Sequence, residues 1–234
     1  MIRRFRRQIV VLATTVLLSS VAAAETVTQQ QLLLSKLSTE APALEQNILR
    51  KAITAMDCAV NSGIESAERL AVIDFSLPSS ERRLWIFDLR NQSLLFEDFV
   101  AHGQNSGDNI ASHFSNISGS HQSSIGLFRT QESYHGRHGY SLRMDGLEPG
   151  INDRARERAI VIHAADYVDP TWIERQGRIG RSHGCPAVRP EIADKVVDSL
   201  KGGQFLFKYY PDQDWLASSA YLNCRTNQIA GVTR

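Results

Sequence analysis

Cys185 lies in the stretch Gly180-Arg181-Ser182-His183-Gly184-Cys185-Pro186-Ala187-Val188-Arg189, behind a glycine and between two arginines. A thiol attacks as its thiolate, which nearby cations favour, and Arg181, His183 and Arg189 all fall within four residues of it. Gly184 has no Cβ and admits φ > 0. A sharp turn there would aim the amides of Gly184 and Cys185 at one point, as an oxyanion hole requires. Pro186 restricts the backbone on the other side. His163 closes the apolar run Ala159-Ile160-Val161-Ile162 and offers what a thiol nucleophile needs next, a positioned base for its proton. The chemistry expected is covalent acyl transfer, in which Cys185 attacks an amide carbonyl and forms an acyl-enzyme. The rival reading of the same residues is a buried structural cysteine in a Gly/Pro turn.

A framework has to carry these residues, and the hydrophobic period supplies one. Leu70 to Phe75, Arg83 to Leu89, Leu94 to Val100, Ile125 to Thr130, Tyr140 to Met144, Ala159 to Ile162 and Phe205 to Tyr210 read as strands, with Asn91-Gln92 as a hairpin turn. The continuous apolar run at Ala159 predicts a strand buried on both faces that hands His163 to a loop. Pro190 opens a helix with Ile192, Val196, Val197 and Leu200 on one face, stopped by Gly202-Gly203. Upstream, Leu44, Ile48, Ala52, Met56, Ala59 and Val60 recur at helical spacing, with Ser38 and Thr39 as cap candidates and Gly63 as the stop. The strands outnumber the helices, so the expected fold is mainly β, a sandwich or barrel with an N-terminal helix and one helix after the cysteine.

Between the strands, His102 to Ser124 is rich in Gly, Ser, Asn and His and reads as a long surface loop. His102, His113 and His121 in it read as solvent-facing or turn residues, and their spacing matches no compact metal motif. Tyr134-His135-Gly136-Arg137-His138-Gly139 forms a candidate substrate wall, with Tyr134 and His138 as contacts and Ser182 beside the thiol as another. Arg143, Arg181 and Arg189 each offer a guanidinium fork to a substrate carboxylate; the alternative for each is a surface ion pair. The spacer with Asp166, Tyr167, Asp169, Pro170 and Trp172 is a candidate flap.

The chain has 234 residues, enough for one domain plus appendages. Residues 1–24 read as a secretory signal: Arg3, Arg4, Arg6 and Arg7, then the apolar stretch Ile9 to Leu18, then Ala22-Ala23-Ala24 with cleavage after Ala24. The apolar run is shorter than the roughly 20 residues of a membrane span, so no stable insertion is expected after cleavage. Residues 25–65 then form a helical N-terminal segment and 66–234 the catalytic domain. Cleavage removes four arginines and no acid and leaves 22 basic against 25 acidic residues, a balance that speaks against a nucleic-acid partner. In an oxidising compartment, pairing Cys58 with Cys224 would leave Cys185 as the odd, reactive thiol; the alternative is that both stay buried and reduced.

A strand-borne histidine followed, after a spacer, by Ser182-His183-Gly184-Cys185 resembles the L,D-transpeptidase catalytic domain (YkuD-like) of bacterial cell-wall enzymes, from about Leu70 to Leu222. Pro186-Ala187 is similar to a murein L,D-transpeptidase subfamily with Gly-Cys-Pro-Ala, whereas many members carry Arg or Asn shortly after the cysteine. The resemblance implies a periplasmic or cell-envelope enzyme without cofactor or metal, and Cys185 as the residue acylated by carbapenem-type β-lactams. It also implies peptidoglycan stem peptides as partners, attacked after diaminopimelate with loss of the terminal D-alanine. It points to His163 as the base; His183, two residues from Cys185, either reaches the thiol as a second candidate base or helps shape the oxyanion hole. Related enzymes often have Ser or Gly after the upstream histidine; Ala164 has no hydroxyl, so a backbone carbonyl, or second Asp166, is expected to orient His163.

Other classes stay in play. An amine acceptor gives transpeptidation and water gives L,D-carboxypeptidase-type hydrolysis by the same thiol. A non-catalytic peptidoglycan-binding module would need no nucleophile at all. A papain-like peptidase is disfavoured because His163 precedes Cys185, and a sortase-like enzyme because its Thr-containing cysteine motif is missing. A zinc site from His163, His183 and Cys185 has suitable ligand types but a non-standard His-x-Cys loop.

Overall fold

The apolar runs pair into one eight-stranded sheet. The computed structural model describes residues 29–224, and its strands are β1 (Arg69–Asp74), β2 (Leu84–Asp88), β3 (Ser93–Asp98), β4 (Gly126–Gly136), β5 (Gly139–Gly146), β6 (Val161–Ala164), β7 (Ala187–Val188) and β8 (Phe205–Tyr209). They lie in the order β3-β2-β1-β8-β4-β5-β6-β7. Neighbours run antiparallel except at β1–β8 and β6–β7. All five residues of β2 and of β8 are buried, as their near-continuous apolar sequences demand of strands covered on both faces. The two ends of the sheet meet. Ala101 donates its amide to Ala187 O at 2.9 Å, and Arg189 closes a two-pronged bond on Asp98 at 2.8 and 2.6 Å. The sheet therefore curls into a near-barrel whose seam joins the end of β3 to β7.

Helices cover the curled sheet. Residues 29–40 form α1, and α2 (Gln46–Asn61) lays Ile48, Leu49, Ala52, Ile53 and Met56 against β1, β4 and β8, the spacing of a single apolar helix face. The helix after the cysteine, α4 (Pro190–Leu200), buries Ala193, Val196, Val197 and Leu200 over β1, β5 and β6. Two short helices have no counterpart in the sequence reading: α3 (Pro170–Gln176), without a buried residue, and α5 (Gln213–Ser218), which buries Trp215. Ser38 and Thr39 fall inside α1 rather than capping α2, whose N-cap is Glu45 without a side-chain bond. The helical segment and the sheet share one core, from Leu37 through Phe128 to Trp215.

Cys58 on α2 is joined to Cys224, with 6.1 Å between their Cα atoms, inside the separation a disulfide needs. The signal reading of residues 1–24 lies outside the described residues. Among the described residues no helix is long and apolar enough to cross a membrane.

Candidate active site

The parallel pairing of β6 with β7 brings His163 and Cys185 together. His163 lies opposite Ala187 and Ala164 opposite Val188, so Cys185, two residues before Ala187, comes level with Val161, two residues before His163. The Val161 amide donates to Cys185 Sγ at 3.4 Å, and the thiol faces Ala159 O at 3.8 Å. His163 is held inside β6 rather than passed to a loop. Both residues line one cleft of about 450 Å³, together with Tyr134, Arg137, His138, Arg158, Tyr167, Arg181, Ser182 and His183.

His163 Nδ1 lies 2.7 Å from Ala164 O. A carbonyl only accepts, so Nδ1 carries the hydrogen and Nε2 keeps its lone pair. A backbone carbonyl thus fixes the ring, and exposed Asp166 does not. The ring is 4 % exposed and stacked on His138 at 4.5 Å between centroids. Burial pulls its pKa below the ordinary histidine value; the Ala164 bond opposes this and His138 adds to it. A neutral imidazole near pH 7 is the form that accepts a proton.

Gly184 sits at φ 119°, and a Cβ there would come 2.7 Å from Gln122 O. Both the angle and the space exclude any other residue. The obstruction is the loop after β3: a Cβ on Gly103 would meet Gly184 Cα at 2.9 Å, so two glycines let two backbones cross. Ser182 Oγ donates to Cys185 O at 2.6 Å and accepts the Gly184 amide at 3.0 Å. That bond removes the Gly184 amide from the oxyanion pair expected from sequence, and it makes Ser182 a brace of the turn. Ser123 Oγ donates to Gly184 O at 3.1 Å and accepts the Gly103 amide at 3.0 Å.

Behind these contacts, fully buried Arg83 donates to His102 Nδ1 at 2.7 Å, and His102 O receives the Ser182 amide at 2.9 Å. His102 is therefore completely buried, not solvent-facing. Burial first, and then the Arg83 charge, push its pKa down to about 3. The exposed imidazole of His183 stacks on His121 at 4.3 Å between centroids.

The three arginines expected to offer a fork to a substrate carboxylate are engaged elsewhere. Arg189 forms the seam with Asp98, Arg181 pairs with Asp108 at 3.4 Å and donates to Gly107 O at 2.8 Å, and Arg143 pairs with Glu132 at 3.3 Å while lying 4.4 Å over the Tyr134 ring. Arg181 alone of the three lines the cleft. The cations whose fields reach the sulfur are Lys208 and Arg158. Burial raises the Cys185 pKa above the ordinary thiol value, and the Val161 amide, Lys208 and Arg158 oppose that rise.

Neither cation was a site candidate in the sequence. Arg158 sits in a mixed-charge run that reads as a solvated connection, and Lys208 interrupts an apolar strand, an anomaly that was the one available signal. Tyr167 reaches the cleft because Gly180 packs flat against it; a Cβ on Gly180 would lie 2.4 Å from Tyr167 Cβ. Burial, and secondarily Cys185, push the Tyr167 phenol up to about 12. Among the described residues no group of three or more His, Cys, Asp or Glu side chains is placed to hold a metal ion.

A family model described as the L,D-transpeptidase catalytic domain matches residues 40–209. Similar solved structures include an L,D-transpeptidase from Mycobacterium smegmatis, 15% identical over 62% of this chain and 60% of that one, with a TM-score of 0.38. Mycobacterium tuberculosis L,D-transpeptidase 1 is 13% identical over 61% and 62%, with a TM-score of 0.35. The helical cell shape determining protein Pgp2 from Campylobacter jejuni is 12% identical over 76% and 64%, with a TM-score of 0.42. The chain thus covers less than two thirds of the length of each of these proteins. No curated protein matches it.

Proposed function

The chain belongs to the L,D-transpeptidase catalytic-domain family, and from that premise we infer that it is an exported cysteine acyltransferase acting on peptidoglycan stem peptides. The observation that carries the reading is the pairing across β6 and β7. One strand supplies both the amide that bonds the Cys185 sulfur and His163, whose ring is held at Nδ1 by Ala164 O and which lines the same cleft.

His163 Nε2 takes the thiol proton as sulfur attacks the carbonyl of the diaminopimelate to D-alanine bond. With the thiol pKa raised and the imidazole pKa lowered, the resting pair is neutral, so His163 works as a base during attack rather than as a standing ion pair. The developing oxyanion takes its hydrogen bond from the Cys185 amide, since the Gly184 amide is bonded to Ser182 Oγ. His163 then protonates the departing amine, D-alanine leaves, and a thioester on Cys185 remains. Attack by an amine acceptor completes transpeptidation; attack by water gives hydrolysis. Arg137, His138 and Tyr134, on the β4–β5 hairpin, and Arg181 opposite them supply the polar wall for the peptide.

The test is mass analysis of peptidoglycan fragments incubated with the purified protein, with and without an added amine. A product that has lost D-alanine and gained the amine is expected, and none with Cys185→Ala. A wild-type protein that leaves the fragments unchanged, or a Cys185→Ala variant that still converts them, would overturn the reading. Carbapenem treatment followed by peptide mapping should place the adduct on Cys185 alone.

A further inference from the structure

His163 lines the open cleft and yet is only 4 % exposed, so a neighbour closes off part of its ring. The group stacked on it is His138, with 4.5 Å between ring centroids and 29° between planes, close enough for two flat rings to attract. His138 does not belong to the strand that carries the base. It stands, itself exposed, in the two-residue turn that joins β4 to β5, where Gly136 pairs with Gly139. Arg137, its neighbour in that turn, donates from Nη2 to His138 Nε2 at 3.3 Å. A guanidinium only donates, so Nδ1 of His138 carries the hydrogen, and the ring laid on His163 is a neutral one.

We propose that His138 is a positioning residue for the base: its ring lies flat on His163, fixes the plane of the imidazole and shields one of its faces from water. The inference rests on the reading of His163 as the base. The Ala164 carbonyl bonds one nitrogen at the edge of the ring. One such bond does not fix the plane, whereas a working base has to be held within about 0.5 Å and 10–20° of its productive geometry. A second ring on the face supplies the missing restraint. The other titratable and charged groups around the cleft are Tyr134 and Arg137 on the hairpin, Arg158 before β6, Tyr167 after it, and Arg181, His183 and Cys185 on the catalytic turn. Burial is the largest influence on the proton affinity of His163, and His138 lowers it further, against the Ala164 bond. Removing the His138 ring therefore acts twice with one sign: water reaches the imidazole, and a neighbour that disfavours its protonation is gone.

The test uses His138→Ala, which removes the ring, and His138→Phe, which keeps a flat ring without nitrogens. His138 is exposed in a turn, so both variants should melt with the wild type. Acylation by a carbapenem is followed at pH 8, above the range in which His163 titrates. The maximal rate should fall about tenfold in His138→Ala, a part of the roughly 10²-fold or more that a positioned base supplies, and His138→Phe should recover most of it. A contact that only bound the ligand would move the half-saturating concentration and leave the maximal rate. By NMR of the histidine rings, with His163 assigned from His163→Asn, His163 should titrate at higher pH in His138→Ala than in the wild type, with His138→Phe between them. A wild-type maximal rate in His138→Ala, an unmoved His163 titration, or a Phe variant no better than the Ala variant each overturns the proposal.

Iodoacetamide reads the thiol separately, because Cys185 is the free cysteine when Cys58 and Cys224 are joined. Its alkylation should follow the same pH profile in the wild type and both variants. A profile that shifts together with the acylation rate would place the effect on the sulfur and overturn the proposal as well. Failure of the peptidoglycan assay in the wild-type protein would instead sink the functional reading, and would leave the carbapenem rates and the His163 titration to judge His138 on their own.

Discussion

Two sets of cations bracket the thiol, and the molecule treats them in opposite ways. Arg181 and Arg189 each meet a carboxylate, Asp108 and Asp98, and build structure: the first ties the loop after β3 to the catalytic turn, the second closes the barrel seam. Arg158 and Lys208 meet carbonyls, a thioether and an aromatic face but no carboxylate among the described residues. A cation neutralised by an adjacent acid has little field left for a third group, whereas one buried without an acid acts on whatever titrates nearby. The difference teaches that charge close to a nucleophile in sequence is not charge delivered to it.

The comparison can be broken from several sides, and the thiol count comes first because the alkylation probe depends on it. In denaturant one free thiol is expected, and three would mean that the Cys58–Cys224 bond is absent in the protein tested. The largest kinetic effect should come from the base. His163→Asn removes Nε2 as acceptor and should cost acylation by a β-lactam on the order of 10²-fold or more. His183→Asn, on the exposed rim stack with His121, should cost far less and leave the thiol titration close to wild type. Equal losses in both variants would mean that the rim histidine shares the base's work.

Next in size is Gly184→Ala, which places a Cβ 2.7 Å from Gln122 O at a φ of 119°. It should destabilise the fold by about 1–3 kcal/mol and lower acylation together with melting temperature; a stable, fully active variant would show that the crossing of the two backbones is looser than drawn. The two cation sets are then compared directly. Arg158→Met should raise the pH at which Cys185 becomes alkylated. Arg189→Met should leave that pH unchanged and instead destabilise by about 1–3 kcal/mol, because Asp98, with its side chain 7% exposed, loses its charged hydrogen-bond partner. A reversal of these two outcomes would mean that the seam arginine, not the interior one, serves the thiol.

The last expected effect is on stability against pH. Lys208 is lowered from 10.5 to about 7 in the folded protein, so the unfolded chain binds more protons between those values and stability should rise with pH across that window. His163, also lowered, adds a loss of stability as pH falls below about 6.5. Melting temperature should therefore climb from pH 6 toward 9, and Lys208→Met should flatten the part above pH 7. Above pH 9 the raised thiol of Cys185 works in the other direction.

Much of this protein was legible in its residues. The runs at Leu70, Arg83, Leu94, Tyr140 and Phe205 each became a strand within a few residues of the expected bounds, because side-chain alternation and apolar content are local properties of the chain. The strand expected at Ile125 instead runs on through Tyr134 to Gly136, residues read as a connection, because pairing with β5 extends the hairpin. The helix at Pro190 and the need for glycine at position 184 are local in the same sense, and His163 and Cys185 stand out by type and setting. Short helices such as α3 and α5 carry too few apolar positions to declare themselves.

What only the tertiary structure decided is which groups surround the sulfur. Lys208 and Arg158 reach Cys185 through the register of strands far apart in sequence, and Arg189 turns to Asp98 because the sheet closes there. Ser182 takes the Gly184 amide, and a backbone carbonyl at Ala164 orients His163, through distances of 2.7 to 3.0 Å that no spacing rule encodes. Electrostatic effects fall with distance in space and depend on burial, and neither quantity exists until the barrel is closed.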